Sequence, residues 1–219
     1  MPNYEVHYLS VSDADAIIIR YENSGDQYVV LIDAGNVSDS DKIKNYIWNH
    51  WKTYTIDLAI CTHPDSDHKG GFFGLLNDRD VIINEFWLNT PEDVIKEDEY
   101  NRLYPKRNRL SHCRECYDHP TDTDSLNLID LAVSNKCNVY GAYCGKIHSH
   151  IPISVVGPSL DFYHPLAIEI LKNNKRRKDE DNTIYNDIGY FSSVQAKSSI
   201  DDEPDDCSPT NAGSIILLF

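Results

Sequence analysis

The segment Thr62-His63-Pro64-Asp65-Ser66-Asp67-His68 limits what this chain can fold into more than any other feature. It follows residues 56–61, an apolar run with the length and composition of a buried strand. Imidazole suits Zn, Fe, Mn or Ni, while carboxylates suit harder ions and can bridge two metals. In a tight turn, side chains at alternating positions can converge on one metal position. The last Asp-His pair can then face a second metal position beside it. The spacing therefore predicts a metal site made by His63, Asp65, Asp67 and His68.

A simpler interpretation is a capped turn. Asp65 or Asp67 would then accept hydrogen bonds from the first amides of a helix, and the histidines would have no task. Gly70 and Gly71 follow at once and would let another backbone approach the helix closely. The spacing alone leaves both interpretations open.

The flanking pattern alternates strands and helices, which predicts an α/β fold. Strands are expected at 5–11, 16–21, 28–32, 56–61, 81–89, 138–143, 151–156 and 215–219, and helices at 40–51, 70–76, 124–134 and 161–171. Residues 23–26 have turn composition, so the second and third strands are expected to pair as a hairpin. Residues 91–123 are rich in charge, Pro and Tyr and suggest no regular element.

Charge and composition restrict the functional classes. The 219 residues fit one large domain, and the net charge of −15 argues against a broad basic surface that grips nucleic acid. The argument is weaker for an active site whose metals supply positive charge. No apolar run reaches the ~18 residues of a membrane span, and no signal peptide is visible, so we expect a cytoplasmic protein without membrane contact. The six cysteines are then expected to be reduced thiols.

The motif Thr-His-Pro-Asp-Ser-Asp-His-Lys-Gly-Gly resembles the His-x-His-x-Asp-His signature of the metallo-β-lactamase superfamily, with Asp65 in place of the second His. This variant is similar to that of the hydrolase domain of ComEC-type competence proteins. Residues 8–17 resemble the family's opening strands, and residues 31–35 resemble its Leu-Ile-Asp-x-Gly motif. Residues 153–158 and 211–218 look like later landmarks. The resemblance implies an αββα sandwich in which two mixed sheets lie between helices.

The resemblance also implies roles for individual residues. His63 and Asp65 would serve a first metal and Asp67 and His68 a second, with Zn²⁺ or Mn²⁺ as the expected ions. Asp67 would also orient the attacking water, which makes it the expected catalytic residue. Asp33 would brace the metal loop from behind.

We expect one domain over residues 1–219. Its parts are an N-terminal half at 1–90, an insertion-rich middle at 91–150, and the start of a second half at 151–219, with a polar linker or insertion at 172–210. The family also uses a Gly-Asp and a further His after the strand at 215–219, and the sequence given ends at Phe219. We therefore expect the sandwich to be incomplete at its C-terminus and a further segment or domain to be a partner. The alternative is a shortened relative with a damaged metal site, and in either case the chain alone could be inactive.

Two weaker metal candidates lie elsewhere. His148 and His150 precede a strand and could add a histidine to the first metal, although exposed pairs of this kind are common without a task. Cys113, Cys116 and His119 could form part of a structural zinc site, completed by Cys137 or Cys144. Free thiols in an insertion are the alternative.

A third candidate is a phosphate-binding groove. Lys106, Arg107 and Arg109, together with Tyr100, Tyr104 and Tyr117, could line it with charge and stacking rings. A solvated loop is the simpler interpretation.

Three functions remain open. The first is a phosphodiesterase or nuclease that activates water with metal, where the nucleic-acid substrate is suggested only by the ComEC resemblance. The second is a non-catalytic sensor or interaction domain of a larger defence or regulatory protein. The third is a hydrolase of small esters, thioesters or nucleotides.

Overall fold

The computed structural model describes residues 3–11, 13–120, 126–173 and 208–219. In these ranges a six-stranded sheet has the order β1-β2-β3-β4-β5-β6, and a two-stranded sheet pairs β7 with β8. The strands are β1 (Asn3–Tyr8), β2 (Ile17–Asn23), β3 (Asp26–Ile32), β4 (Thr55–Ile60), β5 (Ile82–Trp87), β6 (Asn138–Tyr140), β7 (Ser154–Gly157) and β8 (Ile216–Leu218). The first three strands are antiparallel, as the predicted hairpin requires, and β3 to β6 run parallel.

The helices in the described residues are α1 (Ser40–Trp51), α2 (Ser66–Asn77), α3 (Pro91–Val94), α4 (Glu97–Leu103), α5 (Arg109–Arg114), α6 (Leu128–Ser134), α7 (Leu160–Asn173) and α8 (Pro209–Ala212). None of these described helices is long and apolar enough to cross a membrane. Helix α1 ends where Lys52 adopts a left-handed φ of 55°. Helix α6 begins at Leu128 rather than near 124, because the Asn127 side chain accepts a hydrogen bond from the Ile129 amide and caps it there.

The central sheet is apolar on both faces. One face carries Ile18, Leu31 and Ala59, which pack in a single cluster with Ile43 of α1 and Phe72 of α2. This cluster also includes α6. Alternation along the strands directs neighbouring side chains to the opposite face.

That opposite face carries Ile19, Val30 and Ile60, which pack with Ile153 and Val155 from the region of β7. The two-stranded sheet therefore lies on the central sheet. The expected fold class is confirmed: a mixed α/β fold with a central sheet and flanking helices, consistent with the metallo-β-lactamase fold.

Residues 91–117 are more regular than the sequence suggested. Helices α3, α4 and α5 and a 3-10 turn at Glu115–Tyr117 replace the expected irregular stretch. Tyr100 and Cys113 are buried with Tyr163 and Leu171 of α7 in a third apolar cluster. His112 links α4 to α7, because its ring is hydrogen-bonded to the Tyr100 hydroxyl at 2.7 Å and to the Leu171 carbonyl at 3.0 Å.

Of the polar stretch at 172–210, the end of α7 and the beginning of α8 are described. Residues 174–207, which include the two charge blocks, lie outside the described residues. The division of the chain at 90 and 150 stays a prediction.

Candidate metal centre

The predicted metal loop connects β4 to α2 at the carboxyl edge of the parallel strands. Helix α2 begins at Ser66, so Asp67 and His68 lie in its first turn instead of before a helix that starts near Gly70. Asp65 is the N-cap residue, yet its side chain makes no capping hydrogen bond. The capped-turn interpretation proposed such a bond from Asp65 or Asp67; Asp65 does not make it, and its carboxylate remains available to a ligand.

Asp33 lies directly behind this loop and is 4% exposed. One carboxylate oxygen accepts a hydrogen bond from the Thr62 amide at 2.8 Å. The other accepts from the Thr62 hydroxyl at 2.7 Å and from Nδ1 of His68 at 2.9 Å. These bonds hold the residue at a left-handed φ of 54°, a conformation that Asp tolerates better than most residues.

The two histidines point the same nitrogen away from the protein scaffold. Nδ1 of His63 lies 3.0 Å from the Thr62 hydroxyl and 3.3 Å from the Ser214 hydroxyl, which leaves Nε2 facing Asp65 at 3.7 Å. Because Nδ1 of His68 donates to Asp33, its Nε2 is also left to face outward. A ligating imidazole commonly has its second nitrogen bound in this way, since that bond fixes the ring and its tautomer.

The acidic groups around His68 come from two segments. Nε2 of His68 lies 3.5 Å from the Asp67 carboxylate and 3.8 Å from the Asp15 carboxylate. The two histidine rings are neighbours, with centroids 3.9 Å apart. Two imidazoles and three carboxylates, one of them from Asp15 outside the loop, therefore lie close to one another.

The surroundings shift the pKa values of the two histidines in opposite directions. Burial, and then the charge of His68, lower the pKa of His63. Burial also lowers the pKa of His68, but the hydrogen bond to Asp33 and the charges of Asp33, Asp67 and Asp15 together raise it above its ordinary value. The negative field that raises the pKa of His68 would equally favour a bound cation.

Gly70 and Gly71 let α2 pack closely on the backbone that follows β3. A Cβ on Gly71 would lie 2.0 Å from the carbonyl oxygen of Ala34, and one on Gly70 would lie 2.5 Å from the amide nitrogen of Val37. The backbone is bonded here as well, because the Ala34 amide donates to the His68 carbonyl at 2.8 Å. This approach brings the first turn of α2 beside Asp33.

The donor set fits a divalent metal by its chemistry, since neutral imidazole and carboxylate suit Zn²⁺ and Mn²⁺. Within the described ranges, however, no three or more His, Cys, Asp or Glu side chains form a group that could hold a metal ion. The carboxylate oxygens nearest to the two Nε2 atoms are those of Asp65, 3.7 Å from His63, and of Asp67, 3.5 Å from His68. Binding would therefore require these side chains to draw together.

The weaker histidine candidates lie elsewhere in the fold. Nδ1 of His148 accepts hydrogen bonds from the amides of His150 at 3.1 Å and Ile151 at 2.9 Å, and its Nε2 lies 3.9 Å from Glu85 of β5. The His150 ring stacks on Tyr28 of β3 at 6.3 Å. In the described part of the chain, no contact joins either ring to the metal loop.

The structure does not assemble the Cys113, Cys116 and His119 candidate either. Cys113 is buried in the third cluster, and the His119 ring packs edge-on against Phe73 at 4.6 Å. Burial raises the pKa of both thiols to about 12, so they are protonated at neutral pH. In the described residues these three side chains pack in the interior and do not form a group that could hold a metal ion.

The expected phosphate groove forms only in part: Lys106 and Arg107 line a cavity of about 780 Å³, whereas Arg109 and the three tyrosines do not line it. Arg109 donates to the backbone carbonyls of Glu92 and Ile95, at 2.8 and 2.9 Å. Tyr100 and Tyr117 are fully buried, so their rings cannot stack on bases. The sequence pattern could not distinguish core tyrosines from exposed ones.

Sequence reasoning missed three residues at this site. Asp15 and Ser214 reach it from the β1–β2 turn and from the residues before β8, and only the fold brings them there. Lys69 is 6% exposed, and its ammonium donates to the Cys116 carbonyl, which joins α2 to the 3-10 turn. Burial lowers the pKa of Lys69.

Residues 10–164 match the family model of the metallo-beta-lactamase superfamily. A metallo-beta-lactamase motif mutant from Cronobacter sakazakii is similar at 14% identity and a TM-score of 0.40, covering 69% of this chain and 50% of that one. A protein of Thermotoga maritima described as a metallo-beta-lactamase is similar at 16% identity and a TM-score of 0.37, covering 70% of this chain and 65% of that one. This chain thus spans about half the length of the Cronobacter protein and somewhat less than two thirds of the length of the Thermotoga protein. Comparison with curated proteins gives no match.

The family model covers well over half of the chain, so the chain belongs to the metallo-beta-lactamase superfamily. Membership points to a metal-dependent hydrolase in general. The superfamily usually binds divalent metals, often zinc.

Proposed function

We propose that this chain provides the metal loop of a metal-dependent phosphodiesterase. His63 and Asp65 would hold one divalent ion and Asp67 and His68 a second, with Zn²⁺ or Mn²⁺ as the metal. The observation that carries the proposal is the orientation of the two imidazoles. Both Nδ1 atoms are bonded to neighbouring groups, so both Nε2 atoms face carboxylates.

When bound, such ions supply Lewis acidity and lower the pKa of water so that it can attack at neutral pH. The chain's own residues supply orientation and charge. Asp33 keeps Nδ1 of His68 protonated and its Nε2 free. The Asp67 carboxylate, which is 41% exposed, can accept a proton from the attacking water and fix its direction.

The charge of the molecule bears on the substrate. With a net charge of −15 and three carboxylates at the loop, the unloaded protein repels a phosphodiester. We therefore infer that phosphodiester binding depends on the metals, and that a nucleic acid would be contacted over a short stretch only.

The non-catalytic alternative also has an observation in its favour. Since the described residues hold no ready group of three metal ligands, the loop could bind a single ion and act in a sensor or interaction domain. Such a domain would bind metal without turnover.

The test combines metal analysis with turnover. The protein loaded with Mn²⁺ or Zn²⁺ is assayed on single- and double-stranded DNA, on a chromogenic phosphodiester, and on a carboxylic ester and a thioester. We expect phosphodiester cleavage that falls at least about 100-fold in Asp67→Asn, since general acid–base groups contribute 10²–10⁴-fold.

The matched control is Asp26→Asn in the exposed β2–β3 turn, which should cleave like the wild type. Metal binding without turnover on any substrate would favour the sensor. Turnover restricted to the ester or thioester would replace the phosphodiester as substrate. Equal cleavage by Asp67→Asn would contradict the catalytic assignment.

A further inference from the structure

We propose that Asp15 is an additional metal-binding residue of this centre, on the His68 side. The inference rests on the proposed metal binding and goes beyond it, because the motif places all its ligands between residues 63 and 68. Asp15 lies in the turn between β1 and β2, far from the motif in sequence.

Backbone hydrogen bonds fix the position of Asp15 relative to the metal loop. Its amide donates to the Asp67 carbonyl at 3.4 Å, and its carbonyl accepts from the Gly35 amide at 2.9 Å. Gly35 in turn accepts from the Gly71 amide at 3.2 Å. The β1–β2 turn, the segment after β3 and the first turn of α2 therefore hold one another.

The Asp15 carboxylate is directed at the free nitrogen of His68. Its oxygen lies 3.8 Å from Nε2, and the Asp67 oxygen lies 3.5 Å from the same atom. Two ligands of one tetrahedral zinc, each ~2.0–2.1 Å from the ion, are about 3.4 Å apart. The Asp15 and Asp67 oxygens are thus slightly farther from Nε2 of His68 than two ligands of a single ion are from each other.

A simple ion pair explains this geometry less well. A protonated His68 would draw a carboxylate to a hydrogen-bond distance of about 2.8 Å, as Asp33 does at Nδ1 with 2.9 Å. Asp15 and Asp67 both stay beyond that distance. His63 beside them is 10% exposed, and its Nε2 is likewise 3.7 Å from the nearest carboxylate. In both histidines, whose side chains are 10% and 13% exposed, Nε2 therefore faces carboxylates beyond hydrogen-bond distance.

A third carboxylate changes which ion the centre prefers. Oxygen ligands favour harder ions, so Asp15 should contribute more to Mn²⁺ affinity than to Zn²⁺ affinity. The Asp15 side chain is 70% exposed and can turn toward an ion without disturbing the core.

The test is titration of the metal-free full chain with Mn²⁺ alone, followed by calorimetry and by the Mn²⁺ paramagnetic resonance signal. A parallel titration uses Zn²⁺. We expect Asp15→Asn to weaken Mn²⁺ binding at least about tenfold, the lower end of the effect of removing even an outer partner of a metal site. Zn²⁺ binding should weaken less, and Asp15→Glu should recover part of the loss.

The control is Asp13→Asn, two residues away in the same exposed turn, which should bind like the wild type. Thermal unfolding of the metal-free variants checks that neither change harms the fold. If the wild type binds Mn²⁺ and Asp15→Asn binds it equally well, this inference is overturned and the proposed function stands. If the wild type binds neither ion, both are overturned.

Discussion

At the scale of single residues, the organisation of the centre depends on Asp33. It is buried, carries a charge and serves the Thr62 amide, the Thr62 hydroxyl and His68 at once. A buried carboxylate is tolerated only when it is well hydrogen-bonded, and here its bonds also set the His68 tautomer. Asp33 therefore links the stability of the loop to its chemistry.

Asp33→Asn tests this link while retaining size, shape and tolerance of a positive φ. The amide keeps one acceptor oxygen but replaces the other with NH₂, which opposes the donors at that position. We expect the free energy of unfolding to fall by about 2–4 kcal/mol, as for the loss of charged hydrogen bonds. Mn²⁺ and Zn²⁺ affinity should fall about 10–100-fold. Denaturant unfolding and calorimetry measure the two effects.

The matched control is Asp57→Asn. This half-buried β4 carboxylate accepts from the Val29 amide at 2.8 Å and has no role in the loop. Its change should leave metal affinity as it is. Unchanged metal affinity in Asp33→Asn would show that the His68 tautomer does not matter.

At the scale of elements, the metal loop is positioned by how closely α2 packs on the segment after β3. The sequence indicated that Gly70 and Gly71 permit a close approach, and the structure supplies the partner backbone at Ala34 and Val37. The sequence did not indicate that α2 begins at Ser66. The first turn of α2 was missed because Asp67 and His68 are polar, and a helix is predicted from the periodicity of apolar residues.

Gly71→Ala should therefore lower the free energy of unfolding more than Gly74→Ala does in the same helix. A Cβ at 71 meets the backbone carbonyl of Ala34 at 2.0 Å, whereas one at 74 meets a single side chain, that of Ser40, with its hydroxyl at 2.3 Å and its Cβ at 2.5 Å. We expect Gly71→Ala to lower the free energy of unfolding by about 3 kcal/mol or more and to weaken metal binding. Gly74→Ala should cost less and leave metal binding unchanged, because it meets one side chain at the beginning of α1 and not the backbone beside the metal loop.

Denaturant unfolding of the two variants, side by side, gives the comparison. Equal losses would mean that the backbone contact at Ala34 does not hold the loop in place.

The α3–α5 region shows where sequence patterns fail at this scale. Tyr100, Tyr117 and His112 look like exposed polar positions in a charged stretch, yet all are buried. Each has a specific partner: the Tyr117 hydroxyl, for example, donates to the Asn89 carbonyl at 3.0 Å. Such pairings depend on residues distant in sequence, so composition cannot reveal them.

At the scale of the whole molecule, the two sheets meet at the metal loop. The Ile215 amide donates to the Thr62 carbonyl at 3.0 Å, and the Ser214 hydroxyl contacts His63. The residues just before β8 thus contact the metal loop that follows β4. The fold class and the motif were predictable, because the strand alternation and the His/Asp spacing are local. Asp15 and Ser214 were not, since only the tertiary fold brings them to His63 and His68.

The central claim is that divalent metal binds at the Nε2 atoms of His63 and His68. Its most direct test is anomalous diffraction at the Mn and Zn absorption edges from crystals grown with each ion. We expect anomalous density within ~2.0–2.2 Å of both Nε2 atoms and of the neighbouring carboxylates. Density confined to Cys113, Cys116 and His119, or no density at the loop of a well-ordered crystal, would contradict the account.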